Sequence, residues 1–282
     1  MVLKTAMETK TKNDSVPSVL RHVRIVCPEC RTGELSLRSE REAYCTHCST
    51  SFLVRNRIID LLPGTSQVPM AAPMEWGWMV EIYETRWWRS GPINTLFFGI
   101  SFNKEYEMIT QAMNLEGDET ILDLACGPGM YARPLAKSLE KGTVVGLDLS
   151  VPMLGYTAFK AQSEGIDNLL LIHGSAKDLP FPDNQFDVVN CCGALHLFSQ
   201  VSTVQGICRV LKPGGRFTVA TTRRLLQGPV GRRIYDYLYR RGGVKYFYLD
   251  ELESLLKDGG FTEVTCLYEK RYWHIMRAVK PE

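Results

Sequence analysis

The feature that most constrains this chain is an apolar run, Ile121-Leu122-Asp123-Leu124-Ala125-Cys126, that ends in Gly127-Pro128-Gly129 and opens an alternation of strand-like and helix-like segments. A short apolar run bounded by turn residues reads as a strand buried on both faces, which requires helices on both sides of a mostly parallel sheet. Residues 120–125 are the first such strand, 130–140 a helix and 143–149 a second strand. Ser150-Val151-Pro152 then caps a helix reaching about residue 164, with proline in its first turn. Three more strands are predicted at 169–173, 186–191 and 216–222, with a helix at 203–211 ahead of a turn, Lys212-Pro213-Gly214-Gly215. An insert over 223–248, a helix at 250–257 stopped by Gly259-Gly260, and strands near 263–268 and 275–279 complete the chain. The fold class is α/β, a doubly wound Rossmann-like sheet.

In such a sheet the crevice beyond the carboxyl ends of the strands is where nucleotides bind, and glycines let the backbone approach a ligand with no Cβ in the way. Asp123 stands near the end of the first strand, and Gly146-Leu147-Asp148 puts an acid at the end of the second, where ribose hydroxyls are held. A dinucleotide site begins in the same way. It would also need a third loop glycine, and Ala132 or Arg133 stands there instead.

The N-terminal part is of another kind. Cys27-x-x-Cys30 and Cys45-x-x-Cys48, 14 residues apart, offer four thiolates from two knuckles, the pattern of a tetrahedral structural zinc site. His47 is the competing ligand, and the paired geometry favours Cys48. Four thiolates leave no open coordination position, so no catalysis is assigned to the metal. A module of this size does not fold on burial alone. The chain therefore divides into a leader at 1–24 expected to be disordered, a zinc-ribbon module at 25–62, a linker at 63–73 and a large domain at 74–282. Two aromatic-rich segments, 74–102 with Trp76, Trp78, Trp87 and Trp88 and 223–248 with Tyr235, Tyr239 and Tyr246, are expected to be lids.

The 33 basic and 31 acidic side chains leave a net charge of +2, so no excess of cations demands a polyanionic partner. No run of about 18 apolar residues exists to span a membrane, and the first residues lack the apolar stretch of a secretory signal. Five cysteines outside the paired motifs lie scattered in apolar or motif segments, which fits a reducing compartment. The cytoplasm is the expected location.

Four motifs follow in order: Leu122-Asp123-Leu124-Ala125-Cys126-Gly127-Pro128-Gly129, then Gly146-Leu147-Asp148-Leu149-Ser150-Val151-Pro152-Met153-Leu154, then Asp178-Leu179-Pro180-Phe181-Pro182-Asp183-Asn184-Gln185-Phe186-Asp187, then Arg209-Val210-Leu211-Lys212-Pro213-Gly214-Gly215. Over about 120–281 the chain resembles the class I S-adenosylmethionine (SAM) dependent methyltransferases of the type 11 group. With Cys27 to Pro63, Tyr83-Glu84-Thr85-Arg86-Trp87 and Gly193-Ala194-Leu195-His196 it is similar to zinc-ribbon-bearing type 11 methyltransferases of cyanobacteria and plastids. The resemblance implies SAM as cofactor. Asp123 and the turn of Ala125, Cys126, Gly127 and Gly129 would face its methionine end, Asp148 its ribose, and Leu149 and Met153 its adenine. Ser175-Ala176 stands where the family often has Asp-Ala at the adenine edge, and a neutral hydroxyl bonds an amine more weakly than a carboxylate does. Cys191 and Cys192 end the fourth strand near the expected methyl donor and read first as packed thiols.

Methyl transfer from a sulfonium needs a nucleophile in line with the methyl group and, for a hydroxyl, somewhere for the proton to go. His196, after the fourth strand, is the candidate base; the alternative is a hydrogen-bonded histidine of the pocket wall. His173 reads as structural, and His274 as distant from the site. The aromatic segments suit a hydrophobic small-molecule substrate such as a quinone, lipid or polyketide-like phenol, methylated on oxygen or carbon. The insert's Arg223, Arg224, Arg232, Arg233, Arg240 and Arg241 could meet phosphates, an acidic head group, a membrane surface or only water. The competing function is ribosomal RNA base methylation. There a ribbon of this kind would hold RNA, here through Arg21, Arg24, Arg31, Arg38, Arg41, Arg55 and Arg57.

Overall fold

The computed structural model describes residues 23–63 and 92–282. Most of the leader, the linker beyond residue 63 and the first aromatic segment up to residue 91 lie outside the described residues. The strands are β1 (Leu35–Ser39), β2 (Glu42–Cys45), β3 (Ser51–Arg55), β4 (Ile58–Asp60), β5 (Thr120–Leu124), β6 (Thr143–Asp148), β7 (Leu169–His173), β8 (Phe186–Cys192), β9 (Leu211–Thr222), β10 (Thr262–Lys270) and β11 (Trp273–Val279). Among the described residues they form one sheet in the order β1-β2-β3-β4-β7-β6-β5-β8-β9-β11-β10. Strands β4 to β9 pair in parallel except at β3–β4, and β11 is inserted antiparallel between β9 and β10.

Strand alternation divides the core. Leu122, Leu124, Val145, Leu147, Val189 and Cys191 point to one face, and Ile121, Val144, Leu169, Leu171 and Val188 to the other. Helices α1 (Pro92–Phe98), α2 (Phe102–Met113), α3 (Ala132–Ser138), α4 (Val151–Ser163), α5 (Val201–Val210), α6 (Gly228–Gly242) and α7 (Leu249–Asp258) make up the helical layers among the described residues. Ser150 caps α4 as its sequence predicts, its Oγ accepting from the Met153 N–H at 3.4 Å. Asn114 ends α2 in the left-handed conformation, with φ +49°.

Two sequence expectations are corrected. Lys212-Pro213-Gly214-Gly215 is not a turn ahead of a strand but a bulge inside β9: Leu211 already pairs with Phe186, and pairing resumes at Arg216 opposite Val188. The Lys212 Nζ donates across the bulge to both Asp187 oxygens, at 2.8 and 2.9 Å, and Asp187 also accepts from the Thr120 N–H at 2.9 Å. His274 lies within β11 rather than between strands, fully buried, directly opposite Thr221 of β9.

The ribbon is joined to the large sheet through backbone. β4 runs parallel to β7, pairing Ile58, Ile59 and Asp60 with Leu171, Ile172 and His173. The Asp60 carboxylate meets His173 Nδ1 at 2.7 Å, and Leu61 N–H donates to the His173 carbonyl at 3.1 Å. Ile25, Phe52, Val54 and Ile59 of the ribbon belong to the same apolar cluster as Leu122, Leu170 and Ile172. Burial that a small module lacks is thus borrowed from its neighbour.

Candidate functional site

The strand order reverses at β5, which has β6 on one side and β8 on the other, so a crevice opens beyond its carboxyl end. Register sets three polar side chains in a row across that point: Asp123 of β5 is opposite Asn190 of β8, and Asn190 is opposite Thr218 of β9. Thr218 Oγ1 donates to Asn190 Oδ1 at 2.9 Å, and Asn190 Nδ2 donates to Asp123 Oδ1 at 2.8 Å. Asp123 Oδ2, equally buried, has no hydrogen-bond partner among the described residues. Burial pushes the Asp123 carboxyl up to about 7, against the Asn190 donor that lowers it. Sequence reading missed Asn190 and Thr218. The signal was a lone amide within an otherwise apolar strand, which a buried strand carries only when it has a partner.

The turn after β5 is shaped by backbone conformation. Ala125, Gly127 and Gly129 all have positive φ, at +55°, +52° and +76°. A Cβ on Gly129 would lie 2.6 Å from Thr157 Cγ2, so glycine is what lets α4 pack against the turn. A Cβ on Gly127 would meet open space, leaving that side of the turn free for a ligand. Cys126 is buried, and its N–H donates to the Leu147 carbonyl at 3.2 Å. Thr157 Oγ1 donates to the Gly127 carbonyl at 3.0 Å and ties the turn down from behind.

Asp148 closes the crevice from β6. Its Oδ2 accepts the Gly127 N–H and its Oδ1 the Ser150 N–H, both at 2.8 Å. Burial raises its carboxyl, and these N–H groups pull it back. Each oxygen keeps a second lone pair, so the half-buried carboxylate can still accept two hydroxyls. Leu149 is exposed beside it, Met153 is buried in α4, and Ser175 and Ala176 follow β7, with Ser175 Oγ accepting from the Lys177 N–H at 3.2 Å. Cys191 is fully buried on the face opposite Asn190, and burial drives its thiol far above the usual range. An ammonium would complement the Asp123 carboxylate and a diol that of Asp148. SAM carries both groups.

His196 occupies a short 3₁₀ turn, Leu195–Leu197, just beyond β8. It is half-buried, its Nδ1 lies 3.4 Å from Thr221 Oγ1, and its carbonyl accepts the Lys245 N–H at 3.0 Å. Burial lowers the imidazole to about 4, so the ring is neutral near pH 7. It lines a cleft of about 370 Å³ in which the rings of Phe198, Tyr235, Tyr239 and Tyr246 alternate with the polar side chains of Lys177, Gln200, Arg224, Asp236 and Lys245. His274 is close to this assembly, not distant: its cross-strand partner Thr221 is the residue that touches His196, and its Nε2 lies 3.2 Å from the Phe247 carbonyl.

In the ribbon, Cys27, Cys30, Cys45 and Cys48 bring their sulfurs within 4.8 Å of one another. Cys27 and Cys48 are 3.8 Å apart and Cys30 and Cys45 3.6 Å. Four sulfurs tetrahedral about an ion at about 2.3 Å stand about 3.8 Å apart. Backbone N–H groups point at the sulfurs: Gly33 at Cys30, and His47 and Cys48 at Cys45, each at 3.4 Å. The N–H and hydroxyl of Thr32, with the Gly33 N–H, hold the Cys30 thiol down at about 5. His47 is not among the four converging ligands.

Comparison with known proteins agrees with this geometry. The family described as "Methyltransferase domain" matches residues 121–215. The chain is similar to the demethylmenaquinone methyltransferase of Geobacillus kaustophilus, 31% identical over 192 residues that make up 58% of this chain and 81% of that protein. It is 40% identical over 132 residues to that of Lactiplantibacillus plantarum, covering 46% of this chain and 55% of that one. Two solved structures share the fold. A SAM-dependent methyltransferase from Aquifex aeolicus aligns with a TM-score of 0.54 at 20% identity, over 72% of this chain and 97% of that chain. Haemonchus contortus phosphoethanolamine N-methyltransferase 2, in complex with SAM, aligns with a TM-score of 0.61 at 17% identity, over 77% and 61%. With its β5 turn, its acid at the end of β6 and a relative matched over most of that relative's length, the chain belongs to the class I SAM-dependent methyltransferases of the type 11 group.

Proposed function

We propose that the chain methylates oxygen or carbon of a hydrophobic small molecule of the quinol or phenol class, and that a structural zinc ion sits in its ribbon. The observation that carries the first part is the neutral, half-buried His196 lining a cleft with four aromatic rings just beyond the switch-point strands. The named activity of the relatives, demethylmenaquinone methylation, supports the same substrate class.

SAM would supply an electrophilic methyl group; the electron pair of the acceptor oxygen or of its activated ring carbon would form the new bond as the carbon–sulfur pair returns to sulfur, and the acceptor's proton would pass to water. Asp123 Oδ2 would anchor the amino group and Asp148 the ribose. His196 accepts a hydrogen bond from the acceptor's hydroxyl and orients it. With its pKa held near 4 by burial, it is better suited to aligning that proton than to carrying it away, because a base works best with a pKa near the operating pH. The phenyl and phenol rings of Phe198, Tyr235, Tyr239 and Tyr246 exclude water and offer stacking area to a flat acceptor.

The sulfur distances and the N–H donors around them support zinc at Cys27, Cys30, Cys45 and Cys48. Four cysteines converging as metal ligands suit a reducing compartment such as the cytoplasm; among the described residues no helix is long and apolar enough to cross a membrane. The RNA reading is not favoured. Arg24, Arg31, Arg38 and Arg57 of the ribbon are paired with Glu34, Asp178, Glu42 and Asp167, so the module presents no uncompensated basic face at those positions. The deciding experiment offers methyl-labelled SAM with undermethylated ribosomal RNA in one tube and a lipid-soluble metabolite extract in another. Label in the extract is the expected result. Label in RNA alone overturns the assignment.

A further inference from the structure

Helix α6 is only shallowly embedded in the large domain. Of its residues with a described side chain, only Gly231 and Tyr235 are buried. Val230, Ile234, Tyr237 and Leu238, spaced to share one helical face, are 70%, 41%, 58% and 41% exposed. Leu225 and Leu226, just ahead of the helix, are exposed as well. A stripe of this kind is normally turned inward; here it borders the buried edge and faces out.

The helix itself is strongly basic, and its Arg232 and Arg233 border a cleft that also holds Asp236, Asp250, Glu253 and Glu269. α6 carries Arg232, Arg233, Arg240 and Arg241 against a single acid, Asp236. Arg223 and Arg224, which precede it, are spent on the fold. Arg223 pairs with Glu269 at 3.0 Å, and Arg224 is buried, donates to the Tyr246 carbonyl at 2.6 Å and stacks over Tyr248. The four helical arginines are all exposed, and the Arg241 guanidinium, at the C-terminal end of the stripe, lies over the Tyr237 ring at 5.7 Å. An exposed apolar stripe with arginines beside it is the pattern of a helix that lies in the interface of a bilayer with anionic lipid.

We propose that α6 docks the protein on the surface of an anionic phospholipid bilayer, with Val230, Ile234, Tyr237 and Leu238 seated among the acyl chains and Arg233 and Arg240 against the phosphates. The opposite side of the same helix contributes Tyr235 and Tyr239 to the cleft that holds His196, so docking puts the cleft beside the apolar phase. The purpose of such docking rests on the proposed lipid-soluble acceptor; the docking itself is tested without it.

The experiment is flotation of the full chain with vesicles of phosphatidylcholine alone and of equimolar phosphatidylcholine and phosphatidylglycerol, at low and high salt. The protein should float with the anionic vesicles, weakly or not at all with the neutral ones, and less at high salt. Arg233→Gln with Arg240→Gln should lower partitioning about fivefold for each arginine removed. Val230→Ser with Ile234→Ser should lower it on both vesicle types. SAM affinity should be unchanged in all variants, which checks their folding. Absence of flotation, or flotation indifferent to both pairs of substitutions, overturns the proposal. So does a stripe that instead mediates concentration-dependent self-association abolished by Ile234→Ser, or arginines that retain ribosomal RNA but no vesicles. Methylation of a water-soluble quinol without vesicle binding would sink docking alone. Vesicle binding with no quinol methylated would sink the acceptor assignment alone.

Discussion

The two halves of the site are built in opposite ways. On the donor side, every group that would hold the cofactor is fixed by the sheet: Asp123 by register with Asn190 and Thr218, Asp148 by two backbone N–H groups, and the turn by three positive-φ residues and Thr157 behind it. On the acceptor side, His196 sits in a single 3₁₀ turn with one long contact to Thr221, and the cleft wall is a helix resting on Gly231 and Tyr235. The donor half is preorganised for one ligand. The proposed acceptor half is held by fewer contacts.

That contrast can be broken at four places. The largest effect is expected from the ribbon, which leans on the donor half alone. Cys30→Ser, or stripping the metal with chelator, should unfold residues 25–62, because in so small a module metal ligation supplies the folding free energy. Since β4 pairs with β7, and the Gly174 N–H that follows β7 donates to the Asp148 carbonyl at 3.0 Å, SAM affinity should fall with it. Elemental analysis should find one zinc per chain, and calorimetry after chelation should show weaker SAM binding. Undiminished affinity would separate ribbon from donor site.

His196→Ala comes next. It should slow the chemical step about 10²-fold, the cost of a misoriented acceptor, and leave SAM affinity nearly intact. Single-turnover rates over a pH series carry a second readout: with the imidazole near 4, its protonation removes the acceptor lone pair only as pH falls through that value, so activity should be lost there in the parent protein and not at pH 6. A loss confined to KM would make His196 a wall of the pocket.

Asp148→Ala should weaken SAM binding by about 1–3 kcal/mol, the worth of charge-assisted hydrogen bonds to the ribose. The variant also frees the Gly127 N–H, so a shift in the turn should accompany it in amide chemical shifts. Unchanged affinity by calorimetry would remove Asp148 from the donor half.

The smallest effect is a pH dependence of cofactor affinity. The free protein holds Asp123 at about 7, and an ammonium ligand needs the ionised form, so SAM should bind roughly tenfold more weakly at pH 6 than at pH 8. The same raised value means that the folded state takes up a proton the unfolded state does not. The ligand-free protein should therefore lose stability as pH rises from the ordinary aspartate range through about 7, and SAM should offset that loss. Thermal melts with and without SAM across this range measure both.

The same contrast governs what could be read in advance. The β5 to β8 pattern, the Ser150 cap and the two cysteine pairs are local signals, and each lies in the structure where its residues indicate. Partners supplied by register across strands were not legible: nothing near Asn190 in sequence points to Asp123, 67 residues away, or to Thr218. His274 was misjudged for the same reason, since its nearness to Thr221 comes from β11 entering the sheet between β9 and β10. Lys212-Pro213-Gly214-Gly215 has the composition of a turn, and only the pairing of Leu211 with Phe186 makes it a bulge within a strand. The helix of the insert was legible in the helical spacing of Val230, Ile234, Tyr237 and Leu238, and only the structure shows that this face is exposed.

β4 has one more effect. A parallel sheet that ended at β7 would present a row of unpaired N–H and carbonyl groups to any passing strand, the template from which edge-to-edge aggregation starts. β4 covers that row at Ile58 to Asp60, and the ribbon hairpins beyond it end the sheet in β1, a five-residue strand bearing a bulge and mostly exposed side chains. The ribbon is in this sense a cap on the sheet's growth. Shortened chains that begin after it should remain able to pair their strands, and would do so with each other.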